Sequence, residues 1–305
     1  MSKSQAFEEF VAKHPGRDLD RGGLRLHYID EGSGDPVLML HGNPTWGFYY
    51  RHLLEALSDQ YRVIVPDHIG CGLSEKPGDD KYHYTLKSRV DDLELLLDSL
   101  GLDRDLTLVM HDWGGIIGTT FAARHPGWIK RLVVCNTAGF HKPAGKTFPG
   151  VLWLFRDTPV GAFLVRGLNL FVRGTAWIGC KNEFMKRDLR KAYAAPYDSW
   201  ANRIAIHRFV QDIPLTPSDA SFAVISQVEE RLPLLKDVPM LLLWGMKDFV
   251  FDPVFLKEWE RRFPEAQSHR FHNAGHYLFE DEAATVNDLV RGFLAAHPVL
   301  AEPVG

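Results

Sequence analysis

Cysteine is scarce in this chain. The three that occur, Cys71, Cys135 and Cys180, are odd in number, far apart and without metal-ligand spacing. That excludes a disulfide framework and a cysteine-built zinc site, and it fits a reducing compartment. Long apolar runs are also missing. Runs such as Val151–Phe155 and Leu168–Val172 fall far short of the about 20 residues that span a bilayer. No apolar core follows the lysine and acidic residues of Met1 to Glu9, so no leader is expected and the expected location is cytoplasmic. Basic residues are not in excess: 35 Lys and Arg against 39 Asp and Glu leave a formal charge of −4, which argues against a nucleic-acid partner. The run Lys186, Arg187, Arg190 and Lys191 reads as a solvated helix face. The loop Val65–Pro77 lacks Walker A spacing. No dinucleotide fingerprint opens the first strand–helix unit, and no histidine pair at helical spacing joins a carboxylate. Neither a cofactor nor a metal is therefore expected.

What is present is an ordinary globular composition, 45% hydrophobic and 24% charged, in an alternation of short apolar strands and helices. Strands are predicted at 24–30, 37–40, 61–65, 106–110, 132–135, 239–244 and 267–271. Helices are predicted from Thr85 to Leu100, from about Trp113 to Arg124, over 254–262 and over 283–296. Such alternation implies a mostly parallel sheet covered on both faces. The rhythm breaks after Thr137 and resumes near Arg231. The intervening stretch is rich in tryptophan and phenylalanine and reads as helical. Residues 139–217 are expected to form a helical cap inserted between core parts 1–138 and 218–305; a helical extension packed on the side is the alternative.

The decisive segment is Leu106-Thr-Leu-Val-Met-His-Asp112-Trp-Gly-Gly115. A buried strand ends at a carboxylate and passes at once into a glycine pair and a helix. Open parallel sheets place ligands at such strand ends, and helix N–H groups stabilise an anion there. This is the layout of a nucleophile elbow with Asp in place of Ser, and Met110 where a small residue is usual. A simple helix cap is the other reading of Asp112. His276, in Asn273-Ala-Gly-His-Tyr277, is the expected base, preferred over His269 and His272. Asp248, after Trp244-Gly-Met-Lys, is the expected orienting acid, preferred over Asp252. The order Asp112, Asp248, His276 is nucleophile, acid, base. Asn43 and Trp113 are expected to supply backbone N–H groups for an oxyanion and neutral side-chain donors for a halide or leaving group. Core packing for Trp113 and a turn role for Asn43 are the alternatives.

Together, His41-Gly-Asn-Pro-Thr-Trp46, Pro66-Asp-His-Ile-Gly-Cys-Gly-Leu-Ser-Glu-Lys-Pro77, His111-Asp-Trp-Gly-Gly115, Gly245-Met-Lys-Asp248 and Ala274-Gly-His276 resemble the haloalkane dehalogenase group of α/β-hydrolases. The resemblance implies an α/β-hydrolase fold: a mostly parallel eight-stranded sheet, helices on both faces, an inserted cap. An acid at Asp248 with donors at Asn43 and Trp113 resembles the third subfamily of that group, which includes or borders the β-lactone decarboxylases of long-chain olefin biosynthesis. Ala195–Arg203 and Asn136–Phe140 are similar to the latter too. Epoxide hydrolases share these pieces but use cap tyrosines, here Tyr193 and Tyr197, and favour an aromatic residue at the position of Asn43. Fluoroacetate dehalogenases tend to carry arginines after the nucleophile, and none follows here.

The resemblance puts carbon–halogen cleavage first: a covalent ester on Asp112, then hydrolysis by water that His276 activates. Decarboxylation of a β-lactone by the same residues is the alternative. Epoxide hydrolysis and a non-catalytic binding protein rank lower. The partners expected are a small apolar substrate, water and, in the first reading, halide. Phe140, Phe148, Trp153, Phe163, Leu164, Trp177 and Phe184 are the expected wall of a cap pocket.

Overall fold

The apolar runs form the middle of one sheet. A computed structural model describes residues 4–299. The first three residues, part of the segment read above for a leader, and the last six, the end of the second core part, lie outside the described residues. The strands are β1 (Arg17–Arg21), β2 (Leu24–Glu31), β3 (Pro36–Leu40), β4 (Arg62–Pro66), β5 (Leu106–His111), β6 (Ile129–Cys135), β7 (Met240–Gly245) and β8 (Gln267–Phe271). They lie in the order β1-β2-β4-β3-β5-β6-β7-β8. β2 runs antiparallel to both neighbours and every other pairing is parallel. β5 and β7 are buried at every position, as strands covered on both faces must be. β1 is absent from the sequence reading. Its run Arg-Asp-Leu-Asp-Arg is exposed or half-exposed throughout and pairs along one edge of β2, so it carries no apolar signal.

The helices are α1 (Gln5–Lys13), α2 (Arg51–Leu57), α3 (Leu86–Ser99), α4 (Trp113–Arg124), α5 (Gly150–Asp157), α6 (Pro159–Ala162), α7 (Leu170–Ile178), α8 (Arg187–Ala194), α9 (Ile204–Gln211), α10 (Phe222–Arg231), α11 (Pro253–Arg262), α12 (Leu278–Asp281) and α13 (Ala283–Ala296). Leu96, Phe121, Val228 and Trp259, from α3, α4, α10 and α11, pack in one core layer. Leu54 and Val290, from α2 and α13, pack in the other. α5 to α9 are inserted between β6 and β7 and form the cap. α1 straps the cap to the body: the Asp188 carboxylate accepts the Ala6 N–H at 2.7 Å, and the Ser4 hydroxyl donates to the Asp188 carbonyl at 2.9 Å. No helix among the described residues is long and apolar enough to cross a membrane.

Candidate active site

β5 delivers Asp112 to the sheet's rim in a backbone conformation few residues adopt, φ 53° and ψ −126°. Such a conformation costs free energy and persists only where the surroundings fix it. Here the Asp112 N–H donates to the Asn136 carbonyl at 3.2 Å, and the Asp112 carbonyl accepts the Gly115 N–H at 3.0 Å and the Thr137 hydroxyl. The turn is also crowded. A Cβ on Gly114 would lie 1.9 Å from the Leu40 carbonyl oxygen, and one on Gly42 would lie 2.1 Å from Asp112 Oδ1. Only glycine lets both backbones come this near.

One carboxylate oxygen of Asp112 is held and the other faces a histidine. Oδ1 accepts the Asn43 backbone N–H at 2.5 Å, and the Trp113 backbone N–H also bonds the carboxylate. Oδ2 stands 3.8 Å from His276 Nε2, while His276 Nδ1 lies 2.8 Å from Asp248 Oδ2. The other Asp248 oxygen accepts the N–H groups of Val250 at 2.8 Å and Phe251 at 3.2 Å. All three side chains are buried. Two groups that the sequence reading did not assign complete the frame. His111 Nε2 donates to the His276 carbonyl at 2.8 Å. The Asn136 side chain accepts the Gly245 N–H at 2.8 Å and donates to the carbonyls of Gly245 at 3.0 Å and Phe251 at 3.3 Å, clamping the turn that carries Asp248.

Burial drives the electrostatics. It pushes the Asp112 carboxyl up to about 6, against the pull of His276 and of the Asn43 and Trp113 N–H groups. For His276 burial works downward, but the charge and hydrogen bond of Asp248, with the charge of Asp112, outweigh it and raise the imidazole to about 9. The set is thus a cation between two carboxylates, one of them free to strike outward. Asp252 and the other two histidines stand apart. Asp252 caps α11 and pairs with Lys146 at 2.7 Å. His269 lies in β8 against the Phe271 ring, and His272 is exposed.

A cavity of about 270 Å³ opens in front of Asp112 and His276, with Asn43 and Trp113 on its wall. One amide N–H of Asn43 is already given to the Ile206 carbonyl on α9, at 3.1 Å. The wall is almost entirely apolar. Phe140 and Phe148 belong to it, together with Leu152, Phe155, Phe171, Phe249 and Phe251. The sequence-based expectation for the rest of the cap needs correction. Trp153, Phe163, Trp177 and Phe184 turn outward, with exposures of 43%, 54%, 51% and 78%, and Leu164 is not on the wall either. Helix periodicity does not say which apolar face meets the cavity. Phe249 and Phe251 follow Asp248 in a loop with no periodicity at all. Tyr193 and Tyr197 also lie off the wall: their hydroxyls go to Glu280 and to the Thr45 carbonyl. No group of three or more potential metal ligands occurs among the described residues.

Fold and site together define an α/β hydrolase with a buried Asp–His–Asp set competent for catalysis. The chain belongs to the alpha/beta hydrolase fold family, whose pattern matches residues 35–283. Within it the chain is 51% identical to a cis-3-alkyl-4-alkyloxetan-2-one decarboxylase of Shewanella oneidensis, over 94% of this chain and 90% of that one. It is 44% identical to the protein of the same name from Xanthomonas campestris, over 92% and 95%. A haloalkane dehalogenase of Mycobacterium tuberculosis is 32% identical over 87% and 88%. The solved haloalkane dehalogenase of Agrobacterium tumefaciens C58 superposes with a TM-score of 0.82 at 24% identity, over 93% of this chain and 97% of that one, a likeness of fold. These identities overturn the expected order of activities. Carbon–halogen cleavage ranked first in the sequence reading, yet the near-full-length identity to the decarboxylases is far higher than to the dehalogenase.

Proposed function

We propose that this enzyme converts β-lactones carrying two alkyl chains, cis-3,4-dialkyl oxetan-2-ones, into an alkene and carbon dioxide, with Asp112 as nucleophile. The 51% identity over 94% of the chain to a decarboxylase of that substrate class carries the reading. The apolar cavity in front of Asp112 supports it, since two alkyl chains need an apolar wall and little else.

A carboxylate is a weak base and suits attack on carbon with a good leaving group. Ring strain makes the lactone's own carboxylate such a group. Asp112 attacks the ring carbon that bears both an alkyl chain and the ring oxygen, from the face opposite that oxygen. The carbon–oxygen bond breaks, and its electron pair leaves with the oxygen, now part of a free carboxylate. This carboxylate ends antiperiplanar to the new ester bond. The bond joining it to the chain then breaks, and those electrons form the double bond. The ester bond to Asp112 breaks in the same step and restores the carboxylate. Atoms and electrons balance without water or a redox partner. Inversion followed by anti elimination leaves two cis chains cis on the alkene.

In this scheme Asn43 and Trp113 hold the departing carboxylate, and His276, kept cationic by Asp248, faces the same charge. The test is proton NMR of the chain's reaction with cis and trans lactones, beside an Asp112→Ala variant. Cis alkene from the cis lactone, absent in the variant, is expected. No alkene from either lactone sinks the reading.

A further inference from the structure

The cap carries a surface that the reaction does not need. Among the described residues fourteen large apolar side chains are exposed, and eleven of them fall between Val151 and Trp200. α7 shows why. Val172 and Ala176 face the body, Phe171 and Thr175 face the cavity, and Leu170, Trp177 and Ile178 face outward, with Arg173 as its one charged residue. A helix apolar on every side is one whose outer face has a partner.

Charge identifies that partner. Residues 139–217 hold twelve Lys and Arg against five Asp and Glu, whereas the whole chain carries −4. Lys142, Arg173, Lys181, Lys186 and Arg187 are exposed. Two exposed tryptophans each have an arginine at the ring: Arg190 at 3.8 Å from the centroid of Trp177 and Arg166 at 4.7 Å from Trp200. Tryptophan with a long cationic side chain suits the boundary between hydrocarbon and headgroups, where the ring is buried and the charge reaches outward. The surface also runs into the cavity: Val151, Leu170 and Ile178 line it and are each more than 40% exposed.

We infer that the cap docks on an anionic lipid surface, with the rim at Val151, Leu170 and Ile178 facing the hydrocarbon so that an alkyl-chain substrate enters without crossing water. Apolar burial and attraction of basic residues to anionic headgroups are the two forces that hold a protein in the interface.

Co-sedimentation of the full chain with vesicles tests this, comparing phosphatidylglycerol–phosphatidylcholine mixtures with pure phosphatidylcholine. Phe163, Trp177 and Phe184 lie off the cavity wall, so their joint change to Ser leaves the reaction chamber intact; Phe184→Ser alone, at a 78% exposed position, guards against misfolding of the triple variant. Expected are binding to the anionic vesicles only, its decline with salt, and partitioning weaker by at least about tenfold in the triple variant and measurably weaker in the single. No binding at low salt, or binding unchanged in both variants, overturns the inference. So does a wild-type oligomer in ultracentrifugation that the variants dissociate while vesicles bind neither form, since the face then belongs to a second copy. Vesicle binding is read without substrate, so this outcome and that of the lactone assay are independent.

Discussion

His276 Nε2 stands 3.8 Å from Asp112 Oδ2, beyond hydrogen-bond reach, although the same imidazole is 2.8 Å from Asp248. The imidazole is thus fixed by the acid behind it and makes no hydrogen bond to the front carboxylate. The carboxylate is held by the backbone N–H groups of Asn43, at Oδ1, and Trp113, and not by the imidazole.

The pH profile follows from the two buried groups. Asp112 must be ionised to attack, so kcat/KM falls as pH drops through about 6, where it takes up its proton. His276 keeps its proton up to about 9. As a cation facing the departing carboxylate it supports turnover up to that pH and less beyond it. The expected profile is a bell with limbs near these two values. A hydrolytic route needs neutral imidazole, so a rate that climbs through pH 9 contradicts the scheme.

Labelled water separates the same alternatives. Turnover in oxygen-18 water followed by mass spectrometry of the peptide containing Asp112 is expected to show no added label. Hydrolysis of an ester at its carbonyl would place label in the carboxylate.

Removing the charge of Asp112 is expected to stabilise the protein while it abolishes turnover. The carboxyl is raised from 3.8 to about 6 in the fold, so its ionised form is disfavoured there. The destabilisation is absent below pH 3.8, grows between the two values and is complete above about 6. Asp112→Asn relieves it, and Tm at pH 8 is expected to rise by a few degrees, on the order of 3 kcal/mol. A lower Tm for this variant would refute the account.

Gly42→Ala tests the crowding of the elbow. The added methyl would lie 2.1 Å from Asp112 Oδ1, so the carboxylate must move. A loss of about a hundredfold or more in kcat is expected, because an ångström of misplacement costs that much. Activity near wild type would show that the turn yields.

Asn136→Ala is expected to separate frame from chemistry. It removes three hydrogen bonds to Gly245 and Phe251 and leaves the buried Gly245 N–H without that partner, while the two carbonyls keep the Asp248 N–H and the Trp244 indole N–H. Urea unfolding is expected to show a loss of about 1–3 kcal/mol. Turnover falls with it, since Asp248 sits on the turn so released.

Where a physical signal is local, the sequence carries it. The strand, carboxylate and glycine pair at Leu106–Gly115 can hardly form another structure, and Asp248 and His276 stand at similar strand ends. β1 leaves no mark in the sequence because a polar edge strand has no periodic apolar face. The outward turn of Trp153, Phe163, Trp177 and Phe184 is missed because apolar residues are assumed to be inside. The choice between halide and lactone is not written in the three polar side chains, for either substrate offers carbon with a good leaving group. Likeness over the whole chain favours the lactone where the motifs favour neither.

Asn43 bridges two parts of the molecule. Its backbone N–H grips Asp112, and its side chain holds the Ile206 carbonyl in the helical roof. A shift of α9 would be felt by the very residue that steadies the attacking group. The helical roof and the nucleophile are therefore joined through a single residue.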